Sequence, residues 1–215
     1  KFANSVLLTD DVLQAVRDCI VFAPLHNPPN LKGVEAVSEI LPSLKQVGVF
    51  DTALHQTMKP EAFLYGIPYS FYEKERIRRY GFHGTSHRFV SRRAAQLLKR
   101  PLEELKLITI HLGNGCSMCA IDKGKSVETS MGHTPLEGLI MGTRSGDIDP
   151  AIMLHIMKRY ELTPHEVDNL LNKHSGVLGI SAESSDLRDL EEGWPTRSER
   201  ANLALDVYSH RIKKY

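Results

Sequence analysis

The sequence predicts an α/β protein, with helices flanking a central run of antiparallel hairpins. Two observations carry this. Near both ends, apolar residues recur at three- and four-residue spacing, the mark of amphipathic helices; Val12, Ala15, Val16, Cys19 and Ile20 are one such stripe. Between them, residues 107–129 form short apolar runs around two tight turns, Gly113-Asn114-Gly115 and Asp122-Lys123-Gly124-Lys125, which read as consecutive hairpins.

Taken in order, Asp10 and Asp11 open the first helix, where carboxylates favour the positive end of the dipole, and Pro24 ends it. A polar stretch, Leu25-His26-Asn27-Pro28-Pro29-Asn30, leads to a second helix over 31–41 with Val34, Val37, Ile40 and Leu41 as its buried stripe. Residues 46–50 read as a short buried strand with Asp51 just past its end, and residues 56–80, rich in proline and aromatics, as irregular. Ser86 is placed to cap a helix reaching about Lys99. Strands follow at 107–112, 116–121 and near 126–129, then a helix from Pro150 to about Arg159 with proline at its first position. Helices near 164–173 and 196–215 close the chain, the last opened by the capping-box pattern Thr196-Arg197-Ser198-Glu199 and buried along Ala201, Ala204, Leu205, Tyr208 and Ile212.

Bulk properties narrow the function classes. The 215 residues are 41% hydrophobic and 25% charged, ordinary for a globular protein, and a net charge of +1 provides no global field for nucleic acid or an anionic membrane. The basic clusters Arg76-Ile77-Arg78-Arg79 and Arg92-Arg93 read as solvated helix faces. No apolar run approaches the roughly 20 residues of a membrane span, and the start lacks a signal-peptide pattern. Three cysteines, an odd number without a framework, suit a reduced, cytoplasmic setting. Cys116 and Cys119 are three apart in a strand and so face opposite sides, which favours packing over redox or zinc chemistry. The chain starts at Lys1, and its last helix has no stop signal, which suggests a cut polypeptide.

The chemistry gathers in polar islands. Gly142-Thr143-Arg144-Ser145-Gly146-Asp147-Ile148-Asp149-Pro150 sets an arginine among glycines, a fork of donors for a carboxylate or phosphate in a loop a ligand can approach closely. His26, Asp51, His83, His87 and His111 each lie at the edge of an element, where scaffolds present functional groups. Asp51 suits either Mg²⁺ beside phosphates or a local helix or turn cap. Gly113-Asn114-Gly115 is explained by its hairpin turn and also suits backbone N–H groups facing a phosphate. Asp186-Leu187-Arg188 alone reads as a charged turn on the surface.

Together these islands resemble the acetate and propionate kinase family of the sugar kinase, heat-shock protein 70 and actin superfamily. The matching stretches are 22–28, 49–57, 78–87, 111–115 and 134–150, in the family's order and spacing. The resemblance implies an actin-like ATPase (ribonuclease H-like) fold, part of a two-lobe acetokinase, with residues 1–53 ending the N-terminal lobe and 54–215 in the nucleotide-binding C-terminal lobe. It implies reversible transfer of the ATP γ-phosphoryl to acetate. By residue it implies Arg144 and His83 at the transferring phosphoryl, Asp51 with Mg²⁺ (or Mn²⁺), His26 near the acyl site, and Leu25, Phe82 and Pro135 around the acetate methyl. His111, Leu112, Gly113, Asn114 and Gly115 fall along the phosphates, and Asp186, Leu187 and Arg188 along the adenosine of ATP or ADP. It also implies a homodimer through the C-terminal lobe. His133 and Cys116 stand where the family more often has apolar or small residues.

The family's N-terminal phosphate loop, its arginine in a His-Gly-Gly context and its C-terminal Gly-rich motif with a metal-associated glutamate do not occur in the sequence. The chain therefore resembles a central fragment and is expected to have little kinase activity alone. Propionate kinase is the nearest alternative. A metal-dependent hydrolase built from the His and Asp islands, or a non-catalytic binding fragment, are more distant ones; His83 and His87 are four apart, but Gly84 and Ser86 argue for a helix start between them.

Overall fold

The computed structural model describes residues 2–20, 27–192 and 198–215. Mixed helix and sheet is what it contains. A two-stranded antiparallel sheet pairs β1 (Val6–Leu7) with β2 (Val47–Gly48), and α1 (Asp10–Asp18) packs on α2 (Asn27–Ile40) beside it. A three-stranded antiparallel sheet, in the order β3 (Lys106–Leu112), β4 (Cys116–Asp122) and β5 (Lys125–Thr129), forms the second layer. Leu112 pairs with Cys116 across the first turn, and a register shift between Ala120 and Ile121 marks a bulge opposite β5.

On this sheet lies α5 (Gly84–Leu98), together with a 3₁₀ turn at Ala53–Thr57 that packs on both α5 and β5. The rest is helical: α3 (Pro60–Phe63), α4 (Tyr69–Glu75), α6 (Pro150–Tyr160), α7 (Pro164–Lys173), α8 (Gly176–Ser181), α9 (Leu187–Glu191) and α10 (Glu199–Lys214). Local chemistry sets several starts. Asp149 caps α6 at the Ala151 N–H ahead of a first-position proline, and Thr163 with Glu166 forms a reciprocal capping box on α7.

The core joins the sheet to the C-terminal helices. Cys116, Met131, Leu139, Met141, Val177, Leu190, Ala201, Ala204 and Tyr208 are buried in one cluster, with α10 packed on α8 and α9. The cysteines are free, and Cys116 and Cys119 are buried. Cys116 Sγ lies 3.3 Å from the Tyr208 hydroxyl and Cys119 Sγ 3.3 Å from Ser126 Oγ, in keeping with packing. Among the described residues no helix is long and apolar enough to cross a membrane.

Several expectations need correction. The strand over 46–50 shrinks to two residues and is not buried, with Val47 and Val49 more than half exposed, because among the described residues it pairs on one edge only and nothing covers the face that carries these valines. The second helix starts at Asn27; on it Leu31 is buried and Val34 and Val37 are half-buried, while Ile40 and Leu41 are exposed, since the shorter α1 packs on it without covering that end. Residues 56–80 are not irregular, since Lys59 and Pro68 each introduce a short helix. Ser198 alone caps α10 through the Ala201 N–H, and Thr196 and Pro24 lie outside the described residues. Asp186 is the N-cap of α9, not part of a free turn.

Leu139 is fully buried in the central cluster. Leu139→Ala is expected to destabilise the protein by about 2–5 kcal/mol through lost transfer energy and a residual cavity, seen as a lower urea midpoint at unchanged slope. A midpoint like that of the parent protein would show that this cluster is not the core.

Candidate functional site

The site is built outward from Asp51. Its carboxylate accepts the His83 N–H at 2.5 Å and the Thr85 N–H at 3.3 Å, while its carbonyl accepts the Gly84 N–H at 2.8 Å. These are the first unpaired amides of α5, so a carboxylate from a distant loop caps the positive end of that helix. The approach requires glycine, since a Cβ on Gly84 would lie 2.2 Å from the Asp51 carbonyl oxygen. His83, at the N-cap, sits in the left-handed region with φ 57°.

 It is a conformation that histidine enters less reluctantly than most side chains. Ser86, expected to be the cap, instead lies inside the first turn, and its hydroxyl meets His111 Nδ1 at 2.9 Å.

The His83 ring leans on β3 and β4. Its Nδ1 is 2.8 Å from Ser117 Oγ, and the ring stacks on His111 with centroids 4.0 Å apart. Burial, helped by His111 and opposed by Asp51, lowers its pKa to about 4. His87 is buried deeper, 2.8 Å from both Thr109 Oγ1 and Ser117 Oγ, and burial followed by His55 lowers it to about 3. Both rings are neutral at pH 7. His55 Nε2 is 2.9 Å from the Phe82 carbonyl, which ties the chain entering the site to the 3₁₀ turn.

Across from His83 is the turn between β3 and β4, closed by the Gly113 N–H donating to the Gly115 carbonyl at 3.1 Å. A Cβ on Gly115 would stand 3.2 Å from His83 Nε2 and 3.4 Å from Arg144 Nη1, so imidazole and guanidinium flank one small space that only the missing side chain leaves open. Arg144 Nη1 donates to the Pro135 carbonyl at 3.2 Å and touches Met141 Sδ at 3.9 Å; among the described residues no carboxylate pairs with it. Burial lowers its pKa, yet an arginine remains charged. Asn114 continues the turn: its carbonyl accepts the Gly142 N–H at 3.0 Å, and its Oδ1 occupies the place a Gly142 side chain would take. The Ser185 carbonyl borders the same place, which brings Asp186-Leu187-Arg188 alongside.

Asp51, His83, His111, Gly113, Asn114, Gly115, Pro135 and Arg144 are thus brought together, with Asp186 and Arg188 paired at 2.6 Å beside them. Phe82 packs against the central core, and Leu112 is half exposed at the end of β3. Leu25 and His26 lie outside the described residues. Among the described residues no group of three His, Cys, Asp or Glu side chains is placed to hold a metal ion. The exposed carboxylate of Asp51 suits a divalent ion held largely through water, not a cage of protein ligands.

Some partners were not legible in the sequence. Arg79 donates to the carbonyls of Thr129, Ser130 and Met131, each at 3.1 Å, and pairs with Glu137 at 2.6 Å, while the Tyr65 hydroxyl also donates to Glu137. This cluster holds the loop that carries Pro135. Ser117 and Thr109 look like ordinary strand residues; the only sign was small hydroxyls at inward-facing positions opposite several histidines.

The chain matches the acetokinase family over residues 1–215, and it belongs to that family. It is 62% identical to an acetate kinase of Desulfitobacterium hafniense and 59% identical to one of Natranaerobius thermophilus, in each case over the whole chain and 54% of the relative. The structure of Porphyromonas gingivalis acetate kinase is similar, with TM-score 0.94 and 51% identity over 100% of this chain and 54% of that one. A propionate kinase structure from Francisella tularensis gives TM-score 0.95 and 46% identity over 99% of this chain and 55% of that one. The chain spans about half the length of these relatives, and the neighbours carry the actin-like ATPase fold.

Folding favours the unprotonated rings of His83 and His87. Their contribution to stability is complete above an unfolded value of 6.5 and is lost as pH falls through the folded values of about 4 and about 3, because the unfolded chain takes up protons first. NMR titration of the two rings is expected to give midpoints well below 6.5, and ordinary midpoints near 6.5 would contradict the burial described.

Proposed function

We propose that this member of the acetokinase family serves an acetate kinase: reversible, in-line transfer of the ATP γ-phosphoryl to acetate, giving acetyl phosphate and ADP. The observation that carries the reading is the small space at Gly115 with His83 Nε2 on one side and Arg144 Nη1 on the other. Two anions meet in this reaction, so the protein's task is to align them and to surround the spreading negative charge with donors. An ionised acetate has no proton to remove, which accounts for a site of donors without a general base.

In this reading Arg144 binds the acetate carboxylate and the phosphoryl oxygens, and neutral His83 donates to the equatorial oxygens as the bond to ADP breaks. Asp51 would help to hold a magnesium ion, which when bound would neutralise phosphate charge. Gly113, Asn114 and Gly115 border the phosphates with Leu112 and His111, and Asp186, Leu187 and Arg188 run along the adenosine. Phe82 and Pro135, with Leu25 and His26, surround the acyl group. Residues 1–53 end one lobe and 54–215 belong to the other, in keeping with two separate sheets. The working protein is a homodimer through the second lobe, in the cytoplasm, where its free cysteines stay reduced.

The relatives favour acetate over propionate. Propionate kinase is kept as a second reading by the structural likeness to one. The full-length gene product, given acetate, ATP and Mg²⁺, is expected to form an acyl phosphate trapped by hydroxylamine, with kcat/KM for acetate above that for propionate. Discrimination by one methylene is worth only about 1–3 kcal/mol, so propionate is used at a reduced rate. Arg144→Ala is expected to lower kcat/KM by about a hundredfold or more. No acyl phosphate from the parent enzyme, or full activity in Arg144→Ala, would overturn the reading.

A further inference from the structure

Behind His83 a chain of hydrogen bonds runs inward. Thr109, His87 and Ser117 are all buried. Thr109 Oγ1 is 2.8 Å from His87 Nδ1, His87 Nε2 is 2.8 Å from Ser117 Oγ, and Ser117 Oγ is 2.8 Å from His83 Nδ1. A neutral imidazole has one donor and one acceptor nitrogen, and each hydroxyl has a single proton. Among the described residues the Ser117 hydroxyl meets only the two rings, so its proton goes to one of them and the direction of one link sets the others.

The Thr109 hydroxyl has two possible acceptors, His87 Nδ1 at 2.8 Å and the Cys119 carbonyl at 3.5 Å. The 2.8 Å contact forms in either direction, so the chain has two consistent proton orders. With the Thr109 proton on His87 Nδ1, His87 donates from Nε2 to Ser117, and Ser117 donates to His83 Nδ1. The His83 proton is then on Nε2, the nitrogen beside the open space at Gly115. The reverse order would aim a bare lone pair at the oxygens of an incoming phosphate, where it repels. We propose that Thr109, His87 and Ser117 are positioning residues that fix both the orientation and the tautomer of His83, so that a neutral ring presents an N–H to the transferring group. The choice between the two proton orders rests on the role assigned to His83 above; the chain of contacts rests on the geometry alone.

The test combines spectroscopy and kinetics on the full-length gene product. Nitrogen NMR of the His83 ring is expected to find the proton on Nε2, with Nδ1 a hydrogen-bonded acceptor. Ser117→Ala is expected to shift the Nδ1 resonance to that of an unbonded lone pair. It is also expected to lower kcat by about ten- to a hundredfold, with KM for acetate nearly unchanged, since an interaction used in the transition state is weakened. Should Ser117→Ala fail to fold, Thr109→Val is expected to lower kcat in the same way, and Thr109→Ser to restore it. A proton on His83 Nδ1 in the parent protein, or parent-like kcat in both Ser117→Ala and Thr109→Val, would overturn the proposal. An Nε2 proton that responds to Ser117→Ala in a protein that makes no acyl phosphate would uphold the relay and reject the kinase reading instead.

Discussion

The arrangement depends on one carboxylate at the end of one helix. Asp51 binds the amides of His83 and Thr85 with its side chain and that of Gly84 with its main chain. Three amides at the positive end of α5 are thereby satisfied by a residue more than thirty positions upstream, next to the strand that pairs with the chain's beginning. The same contacts hold His83 in a left-handed conformation that is unfavourable without external support. In the proposed function the anion that caps this helix also faces the phosphates, which would couple the fold to the chemistry, because loosening Asp51 would release the backbone that aims His83.

The opposite wall is rigid for different reasons. Arg144 lies in a loop whose backbone passes so close to its neighbours that Gly146 and Gly176, both at positive φ, could not carry a side chain. The Met141 N–H donates to the Arg144 carbonyl, and Val177 donates back to Met141, which ties the loop to the first turn of α8. The guanidinium is held by a carbonyl and a sulfur, and among the described residues no carboxylate neutralises its charge. Arg79 and Glu137 do equivalent work for the Pro135 loop, filling the carbonyls left where β5 ends.

Local patterns in the sequence were enough for the hairpins, α6, α7 and most of α5 and α10, because their turns, caps and apolar stripes act within a few residues. The polar islands also pointed to the residues that meet at the site. What was not legible depends on distant partners. Ser86 reads as a cap only if Asp51 is unknown. The stripe on α2 reads as buried only if its packing partner spans the whole helix, and Ile40 is exposed. The short helices within 56–80 are set by prolines and tertiary packing more than by periodicity. Thr109, His87 and Ser117 come from three segments, and nothing in any one of them announces the chain of hydrogen bonds they form.

The central claim is that the space at Gly115, between His83 and Arg144, receives the reacting group. Gly115→Ala tests it most directly, since the added methyl would stand 3.2 Å from His83 Nε2 and 3.4 Å from Arg144 Nη1. Steady-state kinetics of this variant of the full-length gene product, beside its urea unfolding curve, are predicted to show kcat/KM lowered by about a hundredfold or more with stability nearly unchanged. Parent-like kcat/KM in a folded Gly115→Ala protein would contradict the account.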